Sequence, residues 1–169
     1  MRKLVLFSAL LIAGCASRPP VRPPVAPPPP VVATEPPLLS PADYLAVSVS
    51  RSLLLVRASE LVAQRLEARS AMAAGIAETH RGIAAQLNLA GRRLNLLPSA
   101  RLLPADAARL AALARSDQLD LDYLGLVRVA LRECVRHEAD YGRRGTSPTL
   151  RPVARFAQGA CERSRPTFR

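Results

Sequence analysis

Proline is concentrated in one segment of the chain, and that segment limits where a folded domain can lie. Most of the 16 prolines fall between Arg18 and Ser40. Proline fixes φ and lacks an amide donor, so helices and central strands are excluded there. A disordered, extended polyproline-II tether of about 70 Å is predicted, at about 3.1 Å per residue; the alternative is a ligand for a recognition domain. Folding is therefore confined to residues 41–169, enough for one hydrophobic core.

The residues before this segment have the layout of a secretory leader. Arg2 and Lys3 precede the apolar run Leu4–Gly14, which is shorter than the roughly 20 residues that span a bilayer. The run ends in Leu-Ile-Ala-Gly-Cys15, which resembles the lipobox of bacterial lipoproteins. That resemblance implies a signal peptide over 1–14, cleavage before Cys15, acylation of its thiol, and a lipidated linker over 15–40. The alternative is an ordinary leader that contains a cysteine by chance.

The residues after Cys15 bear on the destination of the chain. Ala16 and Ser17 follow it, whereas enterobacterial lipoproteins retained at the inner membrane carry Asp there. By that resemblance we expect a lipid-anchored protein at the periplasmic face of the outer membrane, since two or more acyl chains anchor stably.

The composition predicts an all-α domain. Aromatic residues make up 4% of the chain and Trp is absent, so the core must be aliphatic, and alternating strand patterns are essentially missing. Apolar residues recur at helical spacing, and short loops between long amphipathic helices favour an antiparallel helical bundle. The helices are predicted from Ser40 to about Ala68, from Ser70 to near Gly91, over Pro104–Arg115 with Ala107, Leu110, Ala111 and Ala114 inward, from Asp120 to Gly145, and from Ser147 onward with a late start or kink at Pro152.

The charge of the chain is strongly positive. The formal net charge is +11; without Arg2 and Lys3, 22 basic residues face 13 acidic ones, a net +9. Such a charge attracts anionic partners, and for an exported protein anionic envelope polymers are expected rather than nucleic acid. A candidate anion-binding face repeats every four residues at Arg128, Arg132 and Arg136. The alternatives are a biased genome composition and a solvated surface.

Two cysteines remain in the domain, Cys134 and Cys161. Both fall on inward stripes of consecutive helices, and the periplasm permits disulfides. The heights of the two cysteines along their antiparallel helices agree only roughly. A late start of the last helix would remove most of this difference in height. We therefore expect a disulfide, with two buried thiols as the alternative.

Three short motifs resemble the bacterial family known as domain of unknown function 4142. They are Glu78-Thr79-His80, Leu119-Asp120-Leu121-Asp122-Tyr123 and Ser147-Pro148-Thr149-Leu150, within a resemblance that covers about Tyr44 to Arg163. It implies an exported, ferritin-like four-helix core with a short extra helix. This chain departs from the family at Leu55 or Arg57, where an acid is usual, and at Leu131, where a His is usual.

His80 is the main polar exception on an apolar stripe, which it shares with Ile76, Ile83 and Leu87. It is either a buried hydrogen-bonding His or a functional group. Ferritin-like metal centres need Glu-x-x-His pairs, but Ala77 precedes His80 by three residues. Other candidates are equally incomplete: Glu60 and Glu67 on one helix, and Cys134 with His137 as half of a soft metal site. We expect no cofactor.

No Ser-His-Asp grouping, phosphate loop or aromatic stacking platform can be assembled from the sequence. The sequence therefore predicts a non-catalytic envelope lipoprotein that binds or scaffolds another envelope component, an anionic polymer or a protein. The alternative prediction is a ferritin-like bundle that holds a metal or small ligand near His80.

Overall fold

The computed structural model describes residues 39–165. The predicted signal peptide, Cys15 and the predicted linker up to residue 38 lie outside the described residues. The described part is all-α, as predicted, and contains no strand. Its helices are α1 (Pro41–Arg65), α2 (Glu67–Arg93), α3 (Pro104–Ala114), α4 (Leu119–Arg144) and α5 (Leu150–Ser164).

Helices α1, α2, α5 and α4 form an antiparallel four-helix bundle. Tyr44 and Ser59 of α1 hydrogen-bond to Glu138 and Tyr123 of α4, so these two helices run in opposite directions. The start of α1 lies beside the end of α2, where Leu45 approaches Gly91. Helices α4 and α5 pack together, as do α2 and α5. Helix α3 is a short extra element that contacts both α1 and α4.

The core is aliphatic, as the composition predicts, with two fully buried tyrosines added to it. Leu54, Leu55, Leu87 and Leu131 are almost completely enclosed. Burying one such side chain contributes roughly 1.5–3 kcal/mol to the stability of the fold.

A single residue, Leu66, separates α1 from α2, and the prediction of a helix to Ala68 followed by a Ser70 cap is wrong. Leu66 has φ −130° and ψ 94°, and its amide still donates to the carbonyl of Val62. The sequence carries neither glycine nor proline here, so local signals could not reveal the corner.

Helix α4 also begins differently from the prediction. Gln118 precedes it without a side-chain cap, and Asp120 lies in its first turn. The Asp120 carboxylate instead accepts two hydrogen bonds, at 2.6 and 2.9 Å, from Arg69 of α2. Asp120, which the sequence pattern predicts as a helix cap, therefore forms an ion pair with another helix instead.

The inward face of α3 was predicted wrongly. Its buried residues are Asp106 and Leu113, and Leu110 is only half-buried, whereas the other predicted positions, Ala107, Ala111 and Ala114, are exposed. Asp106 faces inward because it accepts a hydrogen bond from Ser50 of α1. A search for apolar periodicity cannot find a face that is anchored by a carboxylate.

The last helix begins late, at Leu150, after a turn in which the Ser147 hydroxyl accepts from the Leu150 amide at 3.3 Å. Pro152 thus falls in the first turn, where no helical hydrogen bond is lost. Cys134 and Cys161 form the expected disulfide, with their Cα atoms 6.4 Å apart. None of the described helices combines the length and apolar character needed to cross a membrane.

Candidate functional site

A layer of buried polar side chains joins α1 to α4. The Tyr44 hydroxyl donates to Oε2 of Glu138 at 2.6 Å. The Ser48 hydroxyl lies 3.1 Å from Nε2 of His137. The Tyr44 ring stacks with two others of α4, with centroids 3.7 Å from Tyr141 and 5.4 Å from His137. These contacts set the register of the two helices.

Burial controls the ionisation of this layer. Glu138 is 2% exposed, and its burial raises the pKa of its carboxyl to about 7, although the Tyr44 hydrogen bond acts in the opposite direction. Burial also raises the pKa of the Tyr44 phenol, and the neighbouring Glu138 charge adds to that effect. The pKa of His137 falls to about 4, first through burial and then through the Arg51 charge. His137 is therefore neutral at pH 7.

A second group of charged residues continues the layer toward α3. Arg109 makes a two-bonded ion pair with Glu133, at 2.9 and 3.1 Å, and its hydrogen bonds lower the pKa of that carboxyl. Arg51 approaches the same carboxylate at 3.7 Å, and burial lowers the pKa of its guanidinium. Ser50 donates to Asp106 and accepts from the Leu103 amide at 2.9 Å. The network ties three helices together.

The arrangement suits structural pairing better than catalysis. Tyr44 and Glu138 are buried, and the Tyr44 hydroxyl donates its hydrogen bond to the Glu138 carboxyl. A general acid or base must come within hydrogen-bond reach of its substrate, and these two groups have no such access. Sequence reasoning did not single out Glu138, although it continues the inward stripe of α4 through Val127, Leu131 and Cys134.

His80 lies where the stripe on α2 predicts, but its expected hydrogen bonds are not formed. The side chain is 0% exposed, and neither ring nitrogen has a partner. Burial lowers the pKa of His80 to about 4. Among the described residues, His80 therefore has no hydrogen-bond partner, and its ring is neutral at pH 7.

Replacing His80 with Leu should stabilise the domain by about 1–2 kcal/mol at pH 7, because two buried, unpaired nitrogens are removed. Wild-type stability should also fall as the pH drops from about 6.5 toward 4, since the unfolded state then binds the proton first. Urea unfolding followed by circular dichroism measures both effects.

His137→Leu is the matched control, because His137 is paired with Ser48, and it should destabilise the domain. Loss of stability in His80→Leu, together with loss of a stoichiometric metal, would instead favour the ligand-holding alternative. Metal analysis of the purified protein supplies that second measurement.

The other candidate metal ligands are not brought together. Among residues 39–165, no three His, Cys, Asp or Glu side chains form a group that could hold a metal ion. Glu60 pairs with Arg81 at 2.6 Å, and Glu67 is exposed. Cys134 is disulfide-bonded, so it has no thiolate to offer beside His137.

Two of the three arginines of the candidate anion-binding face line the same pocket, and the third does not. Arg128 and Arg132 line a surface pocket together with Leu131 and Arg165. Arg136 is exposed on the same helix but does not line this pocket. Sequence spacing could not find Arg165, because only the packing of α5 on α4 brings it there.

A second, more apolar groove of about 410 Å³ lies between α3 and α4. Leu113, Leu126 and Val129 supply its apolar lining, with Arg109 and Asp122 also present. It has the size of a small-ligand site, but it lacks a convergent polar cluster that would identify a ligand.

Comparison with known proteins found no matching family model, no matching curated protein and no matching solved structure. The resemblance to domain of unknown function 4142 therefore stays a prediction.

Proposed function

We propose that this chain is a non-catalytic envelope lipoprotein, acylated at Cys15, whose helical domain binds or scaffolds another envelope component. The observation that carries the proposal is the closure of the polar layer. Its ionisable pair, Tyr44 and Glu138, is buried and forms the hydrogen bond that joins α1 to α4. Chemistry available to a partner is therefore at the outer surface, where arginine is abundant.

The leader motif supplies the setting of the proposal. Acylation at Cys15 would fix the domain to a membrane, and the Pro-rich tether would let it reach about 70 Å from that surface. The Cys134–Cys161 disulfide is compatible with the oxidising periplasm. Outer-membrane residence follows from Ala16 and Ser17 by the same resemblance.

Cys15→Ser should move the protein from the membrane fraction to the soluble fraction, because one hydroxyl cannot replace the acylated thiol. Cell fractionation and intact-mass measurement of the wild-type product test this together. Ser17→Ala is the matched control and should remain membrane-bound. A wild-type product with a bare Cys15 sulfur, or with residues 1–14 still attached, would contradict the proposal.

Crosslinking in intact envelopes, followed by capture of the chain, would identify the component that it contacts. Capture of the wild type but not of Cys15→Ser would show that membrane attachment is needed for the encounter. Equal capture of the wild type and of Cys15→Ser would show that the interaction does not need membrane attachment.

A further inference from the structure

A surface pocket of about 210 Å³ lies where the end of α5 meets α4. Its lining consists of Arg128, Leu131 and Arg132 from α4 and Arg165 from the residue after α5. Three arginine residues and one leucine thus line the same concave site. No carboxylate is part of this lining.

The three arginines have no internal counter-charge. Within residues 39–165, the side chains of Arg128, Arg132 and Arg165 take part in neither an ion pair nor a hydrogen bond. Glu133, next to Arg132 in sequence, instead pairs with Arg109, and Glu162 accepts a hydrogen bond from Gln158 at 2.9 Å. Like charges brought together repel, so an external anion would relieve the site.

The bundle holds this arrangement in place by a covalent bond. Cys134 lies two residues after Arg132, and Cys161 lies four residues before Arg165. Their disulfide therefore joins α4 to α5 within about one turn of the pocket. Such a link keeps the backbones of α4 and α5 together at the pocket without a ligand, and a preformed framework of this kind reduces the cost of binding.

We propose that Arg128, Arg132 and Arg165 bind a phosphate monoester. A carboxylate carries one charge and is satisfied by a single bidentate arginine, whereas a phosphate monoester carries a charge of about −1.5 to −2 and three strong acceptor oxygens. The pocket, at about 210 Å³, has room for a tetrahedral anion. The site deepens the proposed function, on which its biological setting rests.

The test uses the full chain carrying Cys15→Ser, so that acyl chains cannot contribute to binding. Inorganic phosphate is titrated by calorimetry, and phosphatidylcholine vesicles with and without phosphatidic acid are tested by co-sedimentation. Arg132→Gln and Arg165→Gln should each weaken phosphate binding about tenfold, the effect of losing a charge-assisted hydrogen bond.

Arg136→Gln is the matched control, because it removes the same charge from the same helix outside the pocket. It should change the phosphate affinity by less than a factor of about two. Thermal unfolding followed by circular dichroism shows whether each variant keeps the wild-type fold, and Arg128→Gln provides a further variant should one of the others unfold.

The outcomes separate the sources of the phosphate. Binding of inorganic phosphate alone indicates a soluble phosphate monoester, and binding of vesicles that requires phosphatidic acid indicates a lipid headgroup. A loss in Arg136→Gln equal to that in Arg132→Gln would show diffuse attraction and overturn the site. Absence of binding to either probe would also overturn it, while leaving the Cys15 fractionation result, and with it the proposed function, untouched.

Discussion

Replacing Cys134 and Cys161 together with Ala should lower the free energy of unfolding by about 3.5 kcal/mol. The disulfide spans 27 residues, and the chain-entropy relation gives this value for a loop of that length. For a domain of this size the midpoint of thermal unfolding should fall by roughly 10 °C or more. Circular dichroism melting of the wild type and the double variant measures the change.

The reduced wild type is the control for this measurement, because it lacks the bond but keeps both sulfur atoms. It should unfold close to the double variant, with thiol titration confirming two free cysteines. An unchanged melting temperature after complete reduction would show that α5 is held by packing alone.

Glu138→Gln should become more stable than the wild type as the pH rises, by roughly 3 kcal/mol between pH 4 and pH 8. The pKa of Glu138 is about 7 in the folded protein and 4.5 ordinarily, and each unit corresponds to about 1.4 kcal/mol. Between these values the folded state holds a proton that the unfolded state has released. The contribution of Glu138 to the free energy of unfolding therefore falls as pH rises. Gln does not titrate, so the variant does not lose this contribution.

Glu133→Gln is the control with the opposite sign. The Arg109 hydrogen bonds lower the folded-state pKa of Glu133, so its contribution is present above about pH 4.5 and is lost as pH falls through the folded value. Replacing it should therefore destabilise the domain at pH 7. Urea unfolding at several pH values tests both variants, and parallel profiles for wild type and Glu138→Gln would contradict the ionisation argument.

The two histidines oppose Glu138 in the wild-type profile. His80 and His137 both have a folded-state pKa near 4, so each withholds a proton that the unfolded chain binds below about pH 6.5. Two groups that favour higher pH outweigh one that favours lower pH, and stability is expected to peak near pH 6.5.

Helical periodicity was sufficient to predict most of this fold. The apolar stripes of α2 and α4 were placed correctly, and the disulfide followed because Cys134 and Cys161 both lie on such stripes. These features depend on local spacing, which a sequence displays directly. The failures arose where a polar contact from another helix decides the outcome, as at Asp106 and Asp120.

The candidate sites show the same division. The burial of His80 could be predicted from its neighbours at helical spacing, whereas its lack of a partner depends on other helices. Glu138 had an available signal, its place on the inward stripe, but its partner Tyr44 is 94 residues away. The approach of Arg165 to Arg132 likewise requires knowledge of the helix packing.

The corner at Leu66 is a connection of one residue between α1 and α2, which pack against each other. Since successive helical residues are about 100° apart around the axis, one inserted or deleted residue there would turn the whole of α2. Ile76, His80 and Leu87 would then swing out of the interior, and polar positions would rotate into it. Chain length at this point is therefore fixed by the geometry of the corner.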